Sequence, residues 1–326
     1  MIRYKILFIL FFLIALLFSA CEMTVDINSP ETLATVTQQD RAQNEKQNKN
    51  NDENEYKSTK TSTPEPTIIV TTTSQFTPTT DLRPLPEEWK NWPIIPSVTN
   101  RSREIYIDGI QKRVNPKSFS KIGDCQNVKE SFMGIYDSNK YFLQDWQLEW
   151  QETIDQFRGY FFRDGEAFGQ GLNTAAALSP FHADPEVCLP NENPVQCELR
   201  IANPSFAFVR FERWYPDVTP PDKYEEYLRL VLDLIINHGT VPILMTKADD
   251  IEGGHQINLI ITKLAYEYDI PLYNWWKAAQ ALPNRGMDSE RNDGFHIDPK
   301  YAWTEQSIYG LGTLDSIWKG LNLGDE

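Results

Sequence analysis

Phe119-Ser-Lys-Ile-Gly-Asp-Cys125 decides how this chain is read. The residues from Ser118 to Ile122 alternate in the manner of a short buried strand, and Gly123-Asp124 supplies a turn. The turn presents one small nucleophile-type side chain, Cys125. Placed at the carboxyl end of a parallel strand, with a helix starting beyond it, such a thiol would have a lowered pKa and be the better nucleophile.

Outward from this stretch, the order of elements is that of an α/β protein. Pro204-Ser-Phe-Ala-Phe-Val-Arg-Phe211 reads as a second core strand, and Thr240-Val-Pro-Ile-Leu-Met-Thr246 as a third. Between them Tyr224, Tyr227, Leu228, Val231, Leu232 and Ile235 keep helical spacing up to Gly239, which ends the helix, with Asp222 as its expected cap. Asn258 to Tyr268 is expected as an amphipathic helix and Ile270 to Trp276 as the last strand. A closing helix runs from Thr304 to Leu321. Glu104-Ile-Tyr-Ile-Asp108 reads as a short strand, and Tyr141 to Phe157 as a helix with one buried face.

Near the end of the chain, Asp293-Gly-Phe-His296 sets an acid three positions before a histidine, after the last strand and before the closing helix. A carboxylate at that spacing fixes an imidazole and leaves its other nitrogen free to take a proton from a nucleophile. A nucleophile early and Asp-x-x-His late resemble the first and last blocks of the SGNH (GDSL-type) esterase family. The resemblance spans most of residues 84–326 in order of elements and is close at those two blocks. It implies a three-layer flavodoxin-like sandwich, a parallel sheet flanked by helices. It also implies acyl-ester chemistry with Cys125 as nucleophile, His296 as base and Asp293 as its orienter, and no cofactor or metal.

Two departures from the family pattern stand out. The family's serine is Cys125 here, and where its third block reads Gly-x-Asn-Asp this chain has Glu212-Arg-Trp-Tyr215. The family completes its oxyanion hole with that asparagine and a glycine N–H. Gly169, Gly171 and Arg213 are the candidates for these donors here. Losing one such donor typically costs about 2.7–4 kcal/mol of transition-state stabilisation. Two readings are therefore open: an acyl-ester hydrolase or acyltransferase, or a catalytically degenerate relative that binds a glycan-type ligand. The pair Trp214-Tyr215 would suit sugar stacking.

The amino-terminal quarter reads differently. Arg3 and Lys5 precede an apolar run from Ile6 to Phe18, shorter than the ~20 residues a membrane-spanning helix needs. Ser19-Ala20-Cys21 behind it resembles a bacterial lipobox, which implies a signal peptide over 1–20 and a lipidated Cys21. Residues 21–83 are rich in Thr, Asn, Gln, Lys and Pro and too poor in apolar side chains to form a core, so they read as a disordered tether. The expected location is extracytoplasmic, anchored through Cys21 to a bacterial cell membrane. The expected partners are that bilayer and a small ester or glycan-type ligand, with the domain itself a monomer. A net charge of −15 argues against nucleic acid. In an exported chain, Cys188 and Cys197 are expected to pair as a disulfide, which leaves Cys125 unpaired.

Overall fold

The structure is a computed structural model, and it describes residues 83–138, 140–169, 171–212, 220–291 and 293–322. The signal peptide, Cys21, the tether up to residue 82, Arg213 and Trp214-Tyr215 lie outside the described residues. Among the described residues, no helix is long and apolar enough to cross a membrane.

The strands β1 (Asn115–Gly123), β2 (Pro204–Arg210), β3 (Val241–Met245) and β4 (Leu272–Tyr273) form a parallel sheet in the order β1-β2-β3-β4. Phe119 pairs with Phe206, Gly123 with Arg210, Phe206 with Val241, and Leu244 with Leu272. Steady progress across the sheet with right-handed crossovers puts the connecting helices on one face. These are α4 (Pro194–Ala202), α5 (Pro221–His238) and α6 (Gln256–Glu267), with α5 packed between the other two.

The opposite face belongs to the closing helix α8 (Ala302–Asn322) and the short α2 (Gln151–Gln156). Alternation along the strands sorts the side chains between the two layers. Phe119 and Phe206 meet Phe157 edge-on, and Phe157 in turn meets Trp318 of α8. On the other face, Ser118 donates to the Ala202 carbonyl, and Ser120 to Glu198 of α4. The remaining helices are α1 (Asn100–Gln111), α3 (Thr174–Ala177) and α7 (Trp275–Ala279). The α/β architecture is as the sequence implied.

Three local expectations are corrected. Glu104–Asp108 is helical, within α1, because Thr99 caps that segment by accepting the Ser102 N–H at 3.0 Å. The stretch 141–157 is not one helix: a 3₁₀ turn over Asp145–Trp150 leads into α2, and Phe142, Trp146 and Leu148 stay exposed. The last strand is only Leu272–Tyr273, because the Asn274 side chain accepts the Lys277 N–H and starts α7 at Trp275. Cys188 and Cys197 form a disulfide with their Cα atoms 5.3 Å apart.

Candidate active site

The nucleophile turn is built by the end of β1. Gly123 has φ +148°, and a Cβ there would fall 1.6 Å from the Arg210 carbonyl oxygen, so only glycine lets β1 and β2 approach this closely. Asp124 then clamps the turn. Its Oδ1 accepts the Gln126 N–H at 3.0 Å, and its Oδ2 accepts the Glu212 N–H from the end of β2 at 2.6 Å. Asn127 adds a third tie, donating to the carbonyls of Arg210 at 3.0 Å and Asp124 at 3.3 Å.

Cys125 sits half-buried on this turn, its Sγ 3.5 Å from His296 Nε2. His296 Nδ1 lies 2.7 Å from Asp293 Oδ2, while Asp293 Oδ1 accepts the backbone N–H groups of His296 at 3.1 Å and Phe295 at 3.3 Å. The carboxylate assigns the Nδ1–H tautomer, so Nε2 offers its lone pair to the thiol. Burial pushes the Asp293 pKa up, but the bonds from His296 and Phe295 outweigh it and hold the carboxyl below its usual range. The loop is a narrow hairpin. Met287 bridges Ile297, the Asp288 N–H donates to the His296 carbonyl at 2.9 Å, and the Asp298 N–H donates to the Gly286 carbonyl at 2.9 Å. The turn before Cys125, the Asp-x-x-His spacing and the family resemblance pointed to Cys125, Asp293 and His296, and the fold brings the three together.

The electrostatics differ from expectation. Beyond the strand end, the chain makes only a three-residue 3₁₀ turn, Cys125–Asn127, too short to supply a helix dipole. Burial, with Asp124 and Glu212 adding negative charge nearby, pushes the thiol up to about 11. Cys125 is therefore a neutral thiol at neutral pH. It resembles a serine hydroxyl that must surrender its proton during attack more than it resembles a preformed thiolate.

Beneath the turn lies a buried ionic layer that sequence reasoning missed. Arg210 pairs with Glu212 and reaches Gln306 of α8. Lys247 pairs with Asp249 at 2.7 Å and with Glu252 at 2.5 Å. Burial raises Glu212 to about 8 despite Arg210, with Asp124 and Asp249 adding to the shift. Burial raises Asp249 as well, against the pull of Lys247. The signal was present: an arginine and a lysine at the ends of otherwise apolar strands must find partners when buried.

The candidate oxyanion donors fare unevenly. Gly169 lies beside the turn, but its N–H donates to the Gly123 carbonyl at 3.2 Å and is consumed in that pairing. Gly171 is exposed, with φ +81° and nothing within 4 Å of a Cβ position. Arg213 falls outside the described residues. His255 packs edge-on between Trp89 and Trp276, with ring centroids 5.4 and 5.6 Å away. Glu166, Cys188 and Cys197 bring metal-type donor atoms within 4.8 Å of one another, but both sulfurs are committed to the disulfide.

No family model matches the sequence, and no curated protein matches it. Among solved structures, an acetyl xylan esterase, AlAXEase, is similar at 15% identity over 60% of this chain and 96% of that one, with a TM-score of 0.35. A putative GDSL-like lipase from Parabacteroides merdae is similar at 12% identity over 62% of this chain and 95% of that one, with a TM-score of 0.37. At these values the chemistry of the site has to be argued from its own atoms, Cys125, His296 and Asp293.

Proposed function

We propose that the chain is an acyl-ester hydrolase or acyltransferase with Cys125 as nucleophile. One observation carries this reading: the continuous chain from Cys125 Sγ through both ring nitrogens of His296 to Asp293. In the forward step, His296 Nε2 takes the thiol proton as Sγ bonds to the ester carbonyl carbon. The tetrahedral oxyanion collapses, the bond from carbon to the alcohol oxygen breaks, and His296 returns the proton to the departing alkoxide. Water or a second alcohol, deprotonated by His296, then attacks the thioester, releasing the acyl product and restoring the thiol.

Asp293 holds the imidazole in the working tautomer and stabilises the cation that forms. A raised thiol pKa makes the proton transfer part of the attack. The reading includes anchoring through Cys21 on an extracytoplasmic membrane face, with the ester substrate outside the cell.

A second reading is favoured by the Gly169 amide, which is spent on Gly123. With that donor absent, the site would bind a glycan-type ligand without turning it over.

The test is hydrolysis of short-chain aryl esters and thioesters by the full-length chain, beside Cys125→Ala and His296→Ala. The hydrolase reading expects both variants to lose about 10²–10⁴-fold in kcat. Equal background rates in all three proteins would reject it for these esters and leave ligand binding as the conclusion.

A further inference from the structure

The hairpin that carries His296 meets the core through Ile297, and its own bonds shape it from within. Its cross-strand bonds and the Asp293 contacts set the imidazole within the loop but do not set the loop against the nucleophile turn. A side chain from the turn makes that link. Gln126, only 2% exposed, donates from Nε2 to the Phe295 carbonyl at 3.1 Å.

Gln126 is itself rigidly held. Its N–H is bonded to Asp124 Oδ1, and its carbonyl accepts the Ser131 hydroxyl at 3.0 Å. Asp124 in turn grips the end of β2 through the Glu212 N–H. A strut thus runs from β2 through Asp124 and Gln126 to the peptide that immediately precedes His296. We infer that Gln126 is a positioning residue that sets the separation between Cys125 Sγ and His296 Nε2 by anchoring the Phe295 carbonyl. The inference rests on Cys125 and His296 acting as a pair, as in the proposed function.

A displacement of about 1 Å at a reacting pair can cost 10²-fold in rate, so a single buried amide at this place has leverage. A lone glutamine carries no sequence pattern, and only the fold shows its role.

The experiment uses the full-length chain and reads alkylation of Cys125 by iodoacetamide from pH 6 to 9, with mass spectrometry to confirm the site. It therefore needs no turnover and no known substrate. Wild type is compared with Gln126→Leu, His296→Ala and the double variant, with a thermal melt of each. Gln126→Leu is expected to slow alkylation at pH 7.5 about ten-fold and to move the pH profile towards that of His296→Ala. In the His296→Ala background the same substitution should have no further effect.

Gln126→Glu, which keeps the shape but faces the Phe295 carbonyl with an acceptor, should reproduce the loss if the leucine variant fails to fold. An unchanged profile, or an equal slowing in both backgrounds, would overturn the inference even if the melting temperature falls. Loss of ester turnover without this coupling would sink the inference and leave the hydrolase reading standing. Coupling without turnover would do the reverse.

Discussion

The two edges of the sheet are held by different physics. At the carboxyl edge, Asp124, Arg210, Glu212, Lys247 and Asp249 are all buried, and the structure there consists of paired charges and hydrogen bonds. At the amino edge the contacts are steric. Gly109 of α1 lies against Gly239, the cap of α5, and a Cβ on Gly239 would fall 2.5 Å from the Gly109 Cα. Beside it, Thr99 donates to the Asp269 carbonyl, and a cleft of about 570 Å³ is lined by Trp92, Pro93, Tyr266 and Leu272 together with the Arg83–Asp269 ion pair. None of Cys125, Asp293 or His296 lines that cleft. One edge depends on shape, with its Arg83–Asp269 ion pair only part-buried, whereas the other holds fully buried groups that change charge with pH. Chemistry that moves protons belongs at the second.

The sharpest way to break the contrast is at Gly239. Its φ of +94° and its contact with Gly109 leave no room for a methyl group, so Gly239→Ala should cost about 2–4 kcal/mol of stability. Chemical denaturation would measure the loss. Ester turnover or Cys125 alkylation per folded molecule should stay at the wild-type level, and a parallel fall would show that the edges are coupled.

Removing the disulfide should have a smaller effect. The bridge closes a loop of sequence separation 9, so Cys188→Ser with Cys197→Ser should cost about 2–3 kcal/mol, again read by denaturation.

The most gradual expected effect is a pH slope. The folded-state pKa of Glu212 stands above its unfolded value, so the folded chain keeps a proton that the unfolded chain has lost. Its contribution to stability is complete below about pH 4.5 and is lost as pH rises to about 8, at no more than about 1.4 kcal/mol per pH unit. Glu212→Gln keeps an acceptor for Arg210 and should flatten that part of the stability profile. A slope left unchanged would mean that Arg210 keeps Glu212 ionised throughout.

Much of the fold could be read from local pattern. Strands buried on both faces appear as apolar runs, which is why Phe206–Phe211 and Val241–Met245 were visible. Helices α5 and α6 showed through the spacing of their buried faces. Glu104–Asp108 misled because its β-branched and aromatic run Ile105-Tyr-Ile107 reads as strand, while the deciding feature, the Thr99 cap, lies outside that window. In the site, Asp293 and His296 were legible because their bond is local, three residues apart. The contact of Cys125 with His296 is long-range, and it was suggested only by the family resemblance of the two blocks. The thiol pKa was read in the wrong direction, because it depends first on burial and then on Asp124 and Glu212 converging from two strands.

That raised pKa also explains how one chain can hold an oxidised cysteine pair and a free cysteine together. Oxidants and disulfides react with thiolate, and at pH 7 a thiol with a pKa of about 11 is ionised in roughly one molecule in ten thousand. Cys188 and Cys197 are locked in a bridge, while Cys125 remains protonated beside its base. The burial that makes Cys125 a reluctant nucleophile also makes it durable. Under conditions that oxidise ordinary thiols, its reactivity is held back until a substrate and His296 draw the proton away.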